Sequence, residues 1–529
     1  MNTKNWFMIL VMLVIVVSCT TDDVEPIIVR LQVDGRELVY QHTEPITVEQ
    51  FLREANIELN PLDRINPPEP WRQITNNMLI TIVRVVEEEQ CEDVSIPFRS
   101  ETRLFEGLQP GEERVERAGS PGLERVCYRV VIENGVPRER IEASRVIIES
   151  PVNEVIFVGP TTELEPVPIS GVLAYISNGN AWIIRGNSTR KRPLTITSDL
   201  DRRVFELSPD GRQLLFSRVR EGGINQLWLI PDTAANDPQM VSLIPQDVLY
   251  ADWVPNTPNT ISYSTAESQQ SPPGWNAFND LWIITIDPAT GRQIRIEEVL
   301  PESSGGIYGW WGTNYEWSPD GTQLAWIRAN AVGLVDLENG ELEEPLVEYV
   351  ELQTGQDWSW RTTVSWWGLD SSLIATTTHG LPVGDEPAET SPVFNITVAS
   401  ADGSFVADIV PQAGIWSTPR FSPPIIDPDS VYPSGYIAYL RAREWERSIN
   451  GEYDLIVADR DGSNARVIFP EPDQPGLTAR QFANHFTWSP DGSQLALIYL
   501  GDLWVIDVET GIASQITQDG GASNPVWVP

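Results

Sequence analysis

Trp317-Ser318-Pro319-Asp320-Gly321, followed by Gln323-Leu324-Ala325-Trp326, decides the fold of this 529-residue chain because the same phrase returns. It recurs as Leu207-Ser208-Pro209-Asp210-Gly211 before Gln213-Leu214-Leu215-Phe216, and as Trp488-Ser489-Pro490-Asp491-Gly492 before Gln494-Leu495-Ala496-Leu497. Each copy reads as a core strand ended by a large apolar residue, a Ser-Pro-Asp-Gly turn, and an antiparallel return. Weaker copies are Trp253-Val254-Pro255-Asn256, Trp367-Gly368-Leu369-Asp370, Phe421-Ser422-Pro423 and Trp527-Val528-Pro529, which brings the anchors to seven.

A second series also numbers seven: Ala181-Trp182-Ile183, Leu227-Trp228-Leu229, Leu281-Trp282-Ile283, Gly333-Leu334-Val335, Ile396-Thr397-Val398, Leu455-Ile456-Val457 and Leu503-Trp504-Val505. These read as third strands of repeated four-stranded units. The two series are offset. Trp182 has no anchor before it, and Trp527 has no strands after it. Ring closure resolves the offset, with Pro525 to Pro529 supplying the inner strand of a blade whose other strands come from about 171 to 197. Closure removes the exposed edges that an open array would leave. The pattern resembles the TolB-type, WD40-like repeat, and the resemblance implies a seven-bladed β-propeller over residues 171–529.

In a four-stranded blade, the Ser-Pro-Asp-Gly turns share one face. The second-to-third loops and the links between blades share the other. Most propeller tryptophans recur at repeated strand positions and read as core. Seven do not. Trp275 and Trp445 fall in second-to-third loops, and Trp310, Trp311, Trp358, Trp360 and Trp416 fall in links between blades. All seven are therefore expected on the loop face, as a recognition surface for sugar rings or a protein partner. The alternative is that long loops use tryptophan to fold over the propeller.

Upstream, residues 27–90 read as a small β-grasp unit. Ile28 to Val33 alternates, Asp34-Gly35 signals a hairpin, and Thr47 with Gln50 forms a capping box at the start of a helix carrying Phe51 and Leu52. The order resembles the short extracellular domain that precedes G5 domains in bacterial cell-wall proteins. Residues 91–160 carry Ile96-Pro97-Phe98, Gly111, Gly119, Gly122, Asn134-Gly135 and Pro151-Val152 in an order similar to the G5 domain. That resemblance implies an extended β-module, and family members have been proposed to bind N-acetylglucosamine-containing polymers. A spacer role is the alternative. Residues 161–170, rich in proline, read as a stiff linker.

The chain opens with Lys4 and an apolar run from Trp6 to Val17, a secretory signal pattern. Val16-Val17-Ser18-Cys19 looks like a bacterial lipobox. This implies a signal peptide over residues 1–18, a lipid on Cys19, and a tether over 19–26. An uncleaved anchor helix is the alternative, and either form places the bulk of the chain outside the cytoplasm, at the cell membrane or an outer membrane. In that oxidising compartment, Cys91 and Cys127 are an expected disulfide.

Forty-two prolines, 37 glycines and 20 tryptophans fit a mainly β chain of many short strands. A net charge of −39 disfavours nucleic acid as a partner. No nucleophile elbow, metalloprotease, P-loop or dinucleotide motif is present, and His42, His379 and His485 are scattered, so neither a metal nor a cofactor is expected. The favoured reading is a non-catalytic cell-surface lipoprotein. Its G5-like region would face cell-wall glycan and its propeller a glycan or protein ligand. One alternative is a propeller glycoside hydrolase or lyase, which requires clustered acids at the mouth of the central channel. Another is an envelope assembly factor working through TolB-like protein contacts.

Overall fold

The computed structural model describes residues 25–108, 110–160, 163–368, 370–425, 433–480 and 484–529. The signal peptide, Cys19 and nearly all of the tether lie outside the described residues. The chain forms two compact units, Met1–Glu101 with Val115–Val155, and Thr102–Arg114 with Ile156–Pro529.

In the first unit, the strands Arg36–His42, Ile27–Val33, Met78–Val83 and Arg64–Asn66 lie side by side in that order. Asp34 and Gly35 both have positive φ, 51° and 73°, as the two-residue turn between twisted strands requires. The helix Val48–Glu54 buries Val48, Phe51 and Leu52, and both halves of the Thr47/Gln50 capping box form. A second sheet follows, with Gly122–Glu133 between the long strands Val85–Ile96 and Val136–Glu149. Every residue of Val136–Glu149 is exposed. So thin a sheet buries little apolar surface, and its central cross-link is the disulfide between Cys91 and Cys127, directly opposed in register and 36 residues apart in sequence. Closing such a loop stabilises the fold by about 2–4 kcal/mol, chiefly through the unfolded chain.

The second unit contains seven blades of four consecutive strands, two of them with a short extra strand, Trp275–Ala277 in one and Leu477–Thr478 in the other. Blade I is Ala522–Val528, Pro168–Ser177, Asn180–Asn187 and Arg192–Pro193, from the inside outward. The inner strands of blades II to VII are Leu200–Leu207, Val248–Trp253, Asn314–Trp317, Val364–Trp366, Arg420–Phe421 and Phe486–Trp488. The ring closes through Ala522–Val528, which pairs antiparallel with Pro168–Ser177 in the register Leu173 to Trp527 and Ala174 to Val526. The same strand touches the inner strands of blades II and VII. Closure thus begins three residues earlier than the expected Pro525. The core lies between blades: Val172, Ile176 and Val526 of blade I pack with Phe205, Leu214 and Phe216 of blade II.

The repeated turn has a chemical explanation. Ser208 Oγ donates to Asp210 Oδ1 at 2.7 Å and accepts from the Gln213 amide at 2.9 Å, while Asp210 Oδ1 accepts from the Arg212 amide at 3.1 Å. Ser318 with Asp320, and Ser489 with Asp491, repeat this arrangement. The glycines that close these turns have φ of 67°, 72° and 71°. In blade V the anchor is Trp366 rather than the expected Trp367. Trp366 ends the inner strand, and the Trp367 amide closes the turn by donating to Leu373 O. This turn spans one residue more than that closed from Ser318 to Gln323, which displaced the sequence alignment.

Anchors also lock blade to blade. The indole Nε1 of Trp253 donates to Glu206 O at 3.1 Å, that of Trp366 to Glu316 O at 3.1 Å, and that of Trp488 to Arg420 O at 3.0 Å. Each reaches the inner strand of the preceding blade. Residues before the first blade join this unit as well. Phe105 stacks on Phe157 at 4.6 Å and meets the edge of Trp182 at 5.1 Å, and Glu106 pairs with the half-buried Lys191 at 2.6 Å.

Two changes test the closure. Deleting Asn524–Pro529 is expected to lower the melting temperature of the whole propeller, because an inner strand is lost. Trp527→Ala, removing a side chain only 6% exposed, is expected to cost about 3–5 kcal/mol in denaturant unfolding. Unchanged transitions in both variants would contradict the closure.

Candidate functional site

Topology places all seven unassigned tryptophans as the alternation rule requires. Trp275 begins a short strand and Trp445 a 3₁₀ turn between second and third strands, and the other five lie in links between blades. Their exposure divides them. Trp275, Trp311, Trp360 and Trp416 are buried, and this corrects the expectation of partly exposed recognition residues at those four positions. Their indoles are used to staple loops: Trp275 donates to Trp311 O at 3.3 Å, Trp360 to Ile415 O at 3.3 Å, and Trp416 to Ile449 O at 3.0 Å. A buried indole N–H requires such a partner, and long loops supply carbonyls for it. Trp310 is 43% exposed, and Trp358 and Trp445 are half-buried.

Trp310 and Trp358 share a cavity of about 420 Å³ with Tyr308, Gln353, Thr354 and Asp357. Tyr308 meets Trp310 edge to face at 5.2 Å. Thr354 Oγ1 donates to Trp358 O at 2.7 Å, and Trp358 Nε1 donates to Gln356 Oε1 at 3.3 Å. Flat aromatic walls with an amide, hydroxyl and carboxylate rim suit a sugar ring, which presents C–H faces and equatorial hydroxyls.

The central channel holds a second cavity, of about 320 Å³. The inner-strand residue before each anchor is Glu206, Asp252, Glu316, Ser365, Arg420, Thr487 or Val526, and all but Ser365 line this cavity. Three carboxylates on consecutive blades therefore face Arg420 across the channel. They reach the channel yet sit deep within protein, and burial raises all three. Asp252 is pushed up to about 7 and Glu316 to about 8, with the neighbouring Asp252 charge adding to the rise at Glu316. Glu206 rises well above the carboxylate range through burial and then the charges of Asp252 and Glu316. Nearer the loop face the same cavity is lined by Arg203 and Arg361. Arg361 is pushed down to about 9 by burial first and by Arg203 second. None of these channel residues was singled out from sequence. Their signal was present in the repeat register, one position before each anchor.

Metal-type side chains gather among the described residues at Glu89, Cys91 and Cys127, where the two sulfurs are joined to one another. His379 is committed to loop carbonyls, lying 2.8 Å from Val350 O and 2.8 Å from Ser391 O.

Residues 87–161 match the G5 domain family, and residues 29–69 match the G5-linked ubiquitin-like domain. The chain carries a G5 domain. Residues 434–528 match the dipeptidyl peptidase IV N-terminal region. Resuscitation-promoting factor RpfB of Mycolicibacterium smegmatis is 28% identical over 151 residues, which are 28% of this chain and 39% of that protein. Resuscitation-promoting factor Rpf2 of Corynebacterium glutamicum is 30% identical over 151 residues, 28% of this chain and 36% of that protein. The chain thus spans less than two-fifths of the length of these curated relatives. Among solved structures, TolB from Acinetobacter baumannii aligns over 79% of this chain and 82% of its own, at 12% identity and a TM-score of 0.35. The chain therefore joins a G5 domain to a seven-bladed β-propeller. No helix among the described residues is long and apolar enough to cross a membrane.

The raised carboxyls carry a pH signature. A carboxylic acid with a raised folded-state value holds its proton when the unfolded chain has already released it. The folded state therefore binds more protons across that window, and stability falls as pH rises from about 4, the unfolded value, to about 8. Replacing Asp252 by Asn and Glu316 by Gln is expected to flatten this fall, raising the melting temperature at pH 9 and leaving it nearly unchanged at pH 4. Parallel melting-temperature profiles for variant and wild type would contradict the assignment.

Proposed function

We propose that this chain is a cell-surface binding module of the bacterial envelope. Its G5 region engages wall glycan containing N-acetylglucosamine, and the loop face of its propeller takes a second glycan contact in the Trp310/Trp358 cavity. The observation that carries the propeller half is the coincidence of an exposed indole, a half-buried one and a polar rim around one cavity of about 420 Å³. The G5 match over residues 87–161 and the likeness to two resuscitation-promoting factors support the wall-directed half. In this reading, residues 1–18 are a signal peptide and Cys19 carries the lipid that tethers the chain to a membrane. Residues 27–90, 91–160 and 171–529 then act as successive β-grasp, G5 and propeller domains.

The channel carboxylates favour one further reading, a glycoside hydrolase or lyase. A carboxyl that keeps its proton near neutral pH is a suitable general acid. Release of sugar products by the wild type, lost in Glu316→Gln, would carry that reading instead.

The test is a binding screen of the chain from Thr20 onward against peptidoglycan fragments and chitin oligosaccharides, comparing wild type with a Trp310→Ala/Trp358→Ala variant. Loss of stacking on two indoles is expected to weaken binding by roughly tenfold or more, with the melting temperature preserved. Equal affinities would remove the propeller cavity from the account. No binding to any glycan by the wild type would point to a protein partner.

A further inference from the structure

Four blades carry a tryptophan at the same position of the third strand, and in three of them a group of the chain itself covers the ring. Phe105 meets Trp182 edge to face at 5.1 Å, Tyr499 meets Trp504 at 6.0 Å, and the Arg218 guanidinium lies over Trp228 at 4.5 Å. Trp282 of blade III differs. Among the described residues, no ring or guanidinium of the chain covers it. Register gives the reason. Phe216 faces Trp228 across strands, and Arg218 follows two residues later on the same side of the sheet. Tyr263 faces Trp282 in the same way, but the residue two later is Thr265. A short hydroxyl side chain stands where blade II has a cation.

The space left in blade III is a cavity of about 370 Å³, lined by the aromatic side chains of Tyr263, Phe278 and Trp282 and the carboxylates of Asp280, Glu298 and Glu302. No lysine or arginine lines it. Asp280 is buried and accepts only from neutral donors: Ser264 Oγ at 3.0 Å, the Thr265 amide at 2.8 Å, Thr265 Oγ1 at 2.6 Å and Trp282 Nε1 at 2.9 Å. In blade II, by contrast, the arginine over Trp228 pairs with Asp199 at 2.6 Å. The carboxylates of Glu298 and Glu302 are exposed and have neither an ion-pair nor a hydrogen-bond partner among the described residues. Tyr263 is only 6% exposed, and its hydroxyl likewise has no hydrogen-bond partner among them. Burial and then the Asp280 charge push this phenol up to about 12, so it stays neutral and able to accept a hydrogen bond. A buried hydroxyl left unsatisfied is costly. Aromatic faces and carboxylates that hold no cation of their own are what an organic cation requires.

We propose that this cavity binds a ligand's ammonium group in the place that the Arg218 guanidinium takes in blade II, and that the ligand is a glycan carrying a free amine, a glucosamine unit without its acetyl group. The choice of a glycan rests on the glycan reading of the Trp310/Trp358 cavity. Continuity supports it. Trp310 also borders a polar cavity of about 600 Å³ with Asn276, Ser303 and Ser304, and Glu302 borders both that cavity and the one at Trp282. Three cavities thus adjoin in series, with aromatic stacking at one end and negative charge at the other. An ammonium group brings three N–H donors, and Glu298, Glu302 and the Tyr263 hydroxyl are free acceptors for them. An N-acetylated unit brings one amide N–H and no charge.

Isothermal titration calorimetry on the chain from Thr20 onward, at about pH 6, provides the test with three probes: the trisaccharide of glucosamine, the trisaccharide of N-acetylglucosamine, and trilysine. The amine trisaccharide is expected to bind roughly tenfold or more tightly than its acetylated counterpart, and more tightly than trilysine. Thr265→Arg, which supplies in blade III the cation that blade II already has, is expected to abolish this preference and to leave binding of the acetylated trisaccharide unchanged. Glu298→Gln is expected to reduce the preference by roughly threefold at an unchanged melting temperature. Equal affinity for the two trisaccharides would overturn the ammonium site and leave the glycan reading standing, whereas no binding of either sugar would overturn both. Trilysine binding as tightly as the amine trisaccharide would also overturn the proposal, since a chain of net charge −39 attracts any polycation. So would folded Thr265→Arg and Glu298→Gln variants that keep the wild-type preference.

Discussion

The pairing of Ala522–Val528 with Pro168–Ser177 is the interaction on which the propeller depends. It joins residues more than 340 apart in sequence, and without it Pro168–Ser177 of blade I would present an unpaired inner edge. Closure also sets the width of the channel, because the inner strands must meet around a common axis. Once they do, each anchor comes to lie against the preceding blade. Indoles at three of the seven blade junctions then donate to inner-strand carbonyls of Glu206, Glu316 and Arg420. These carbonyls belong to residues whose side chains line the channel. Ring closure and channel chemistry are therefore built on the same backbone positions, and a change at one is felt at the other.

The loop face shows how one residue type serves two purposes. Trp360 and Trp416 pin the loops to one another, and Trp275, packed edge to face on Trp311, lies under the Arg203 guanidinium. Trp310 and Trp358 are left to meet solvent around a cavity. A buried indole gives up its hydration only when a carbonyl replaces it, so the loops that carry these residues are fixed rather than loose. Fixed loops are what a preformed binding surface needs, since less freedom is lost when a ligand arrives.

Much of this architecture was legible in the sequence, and for a local reason. The Ser-Pro-Asp-Gly turn satisfies its own hydrogen bonds through Ser208 and Asp210 and their equivalents, so its residues are dictated within five positions. The Thr47/Gln50 cap and the Asp34-Gly35 turn are legible on the same grounds. Blade V misled by one position, because Trp366 and Trp367 are both apolar and only backbone pairing separates their roles. The site was less legible. Whether Trp275 or Trp310 is exposed depends on loops that meet only in the folded ring. Arg203 and Arg361 lie more than 150 residues apart, and nothing local announces that they share a mouth. Glu206, Asp252 and Glu316 fall between legible and hidden: their spacing from the anchors is constant, but their convergence requires the ring to close.

Amide hydrogen exchange in the native protein tests the ring most directly. If Ala522–Val528 is the inner strand of blade I, the amides of Val526 and Val528 and those of Leu173 and Ala174 exchange as slowly as the amides of Leu495–Leu497 in the adjacent blade. Exchange of Val526 and Val528 at the rate of a frayed chain end, with the remaining blades still protected, would contradict closure and with it the common channel.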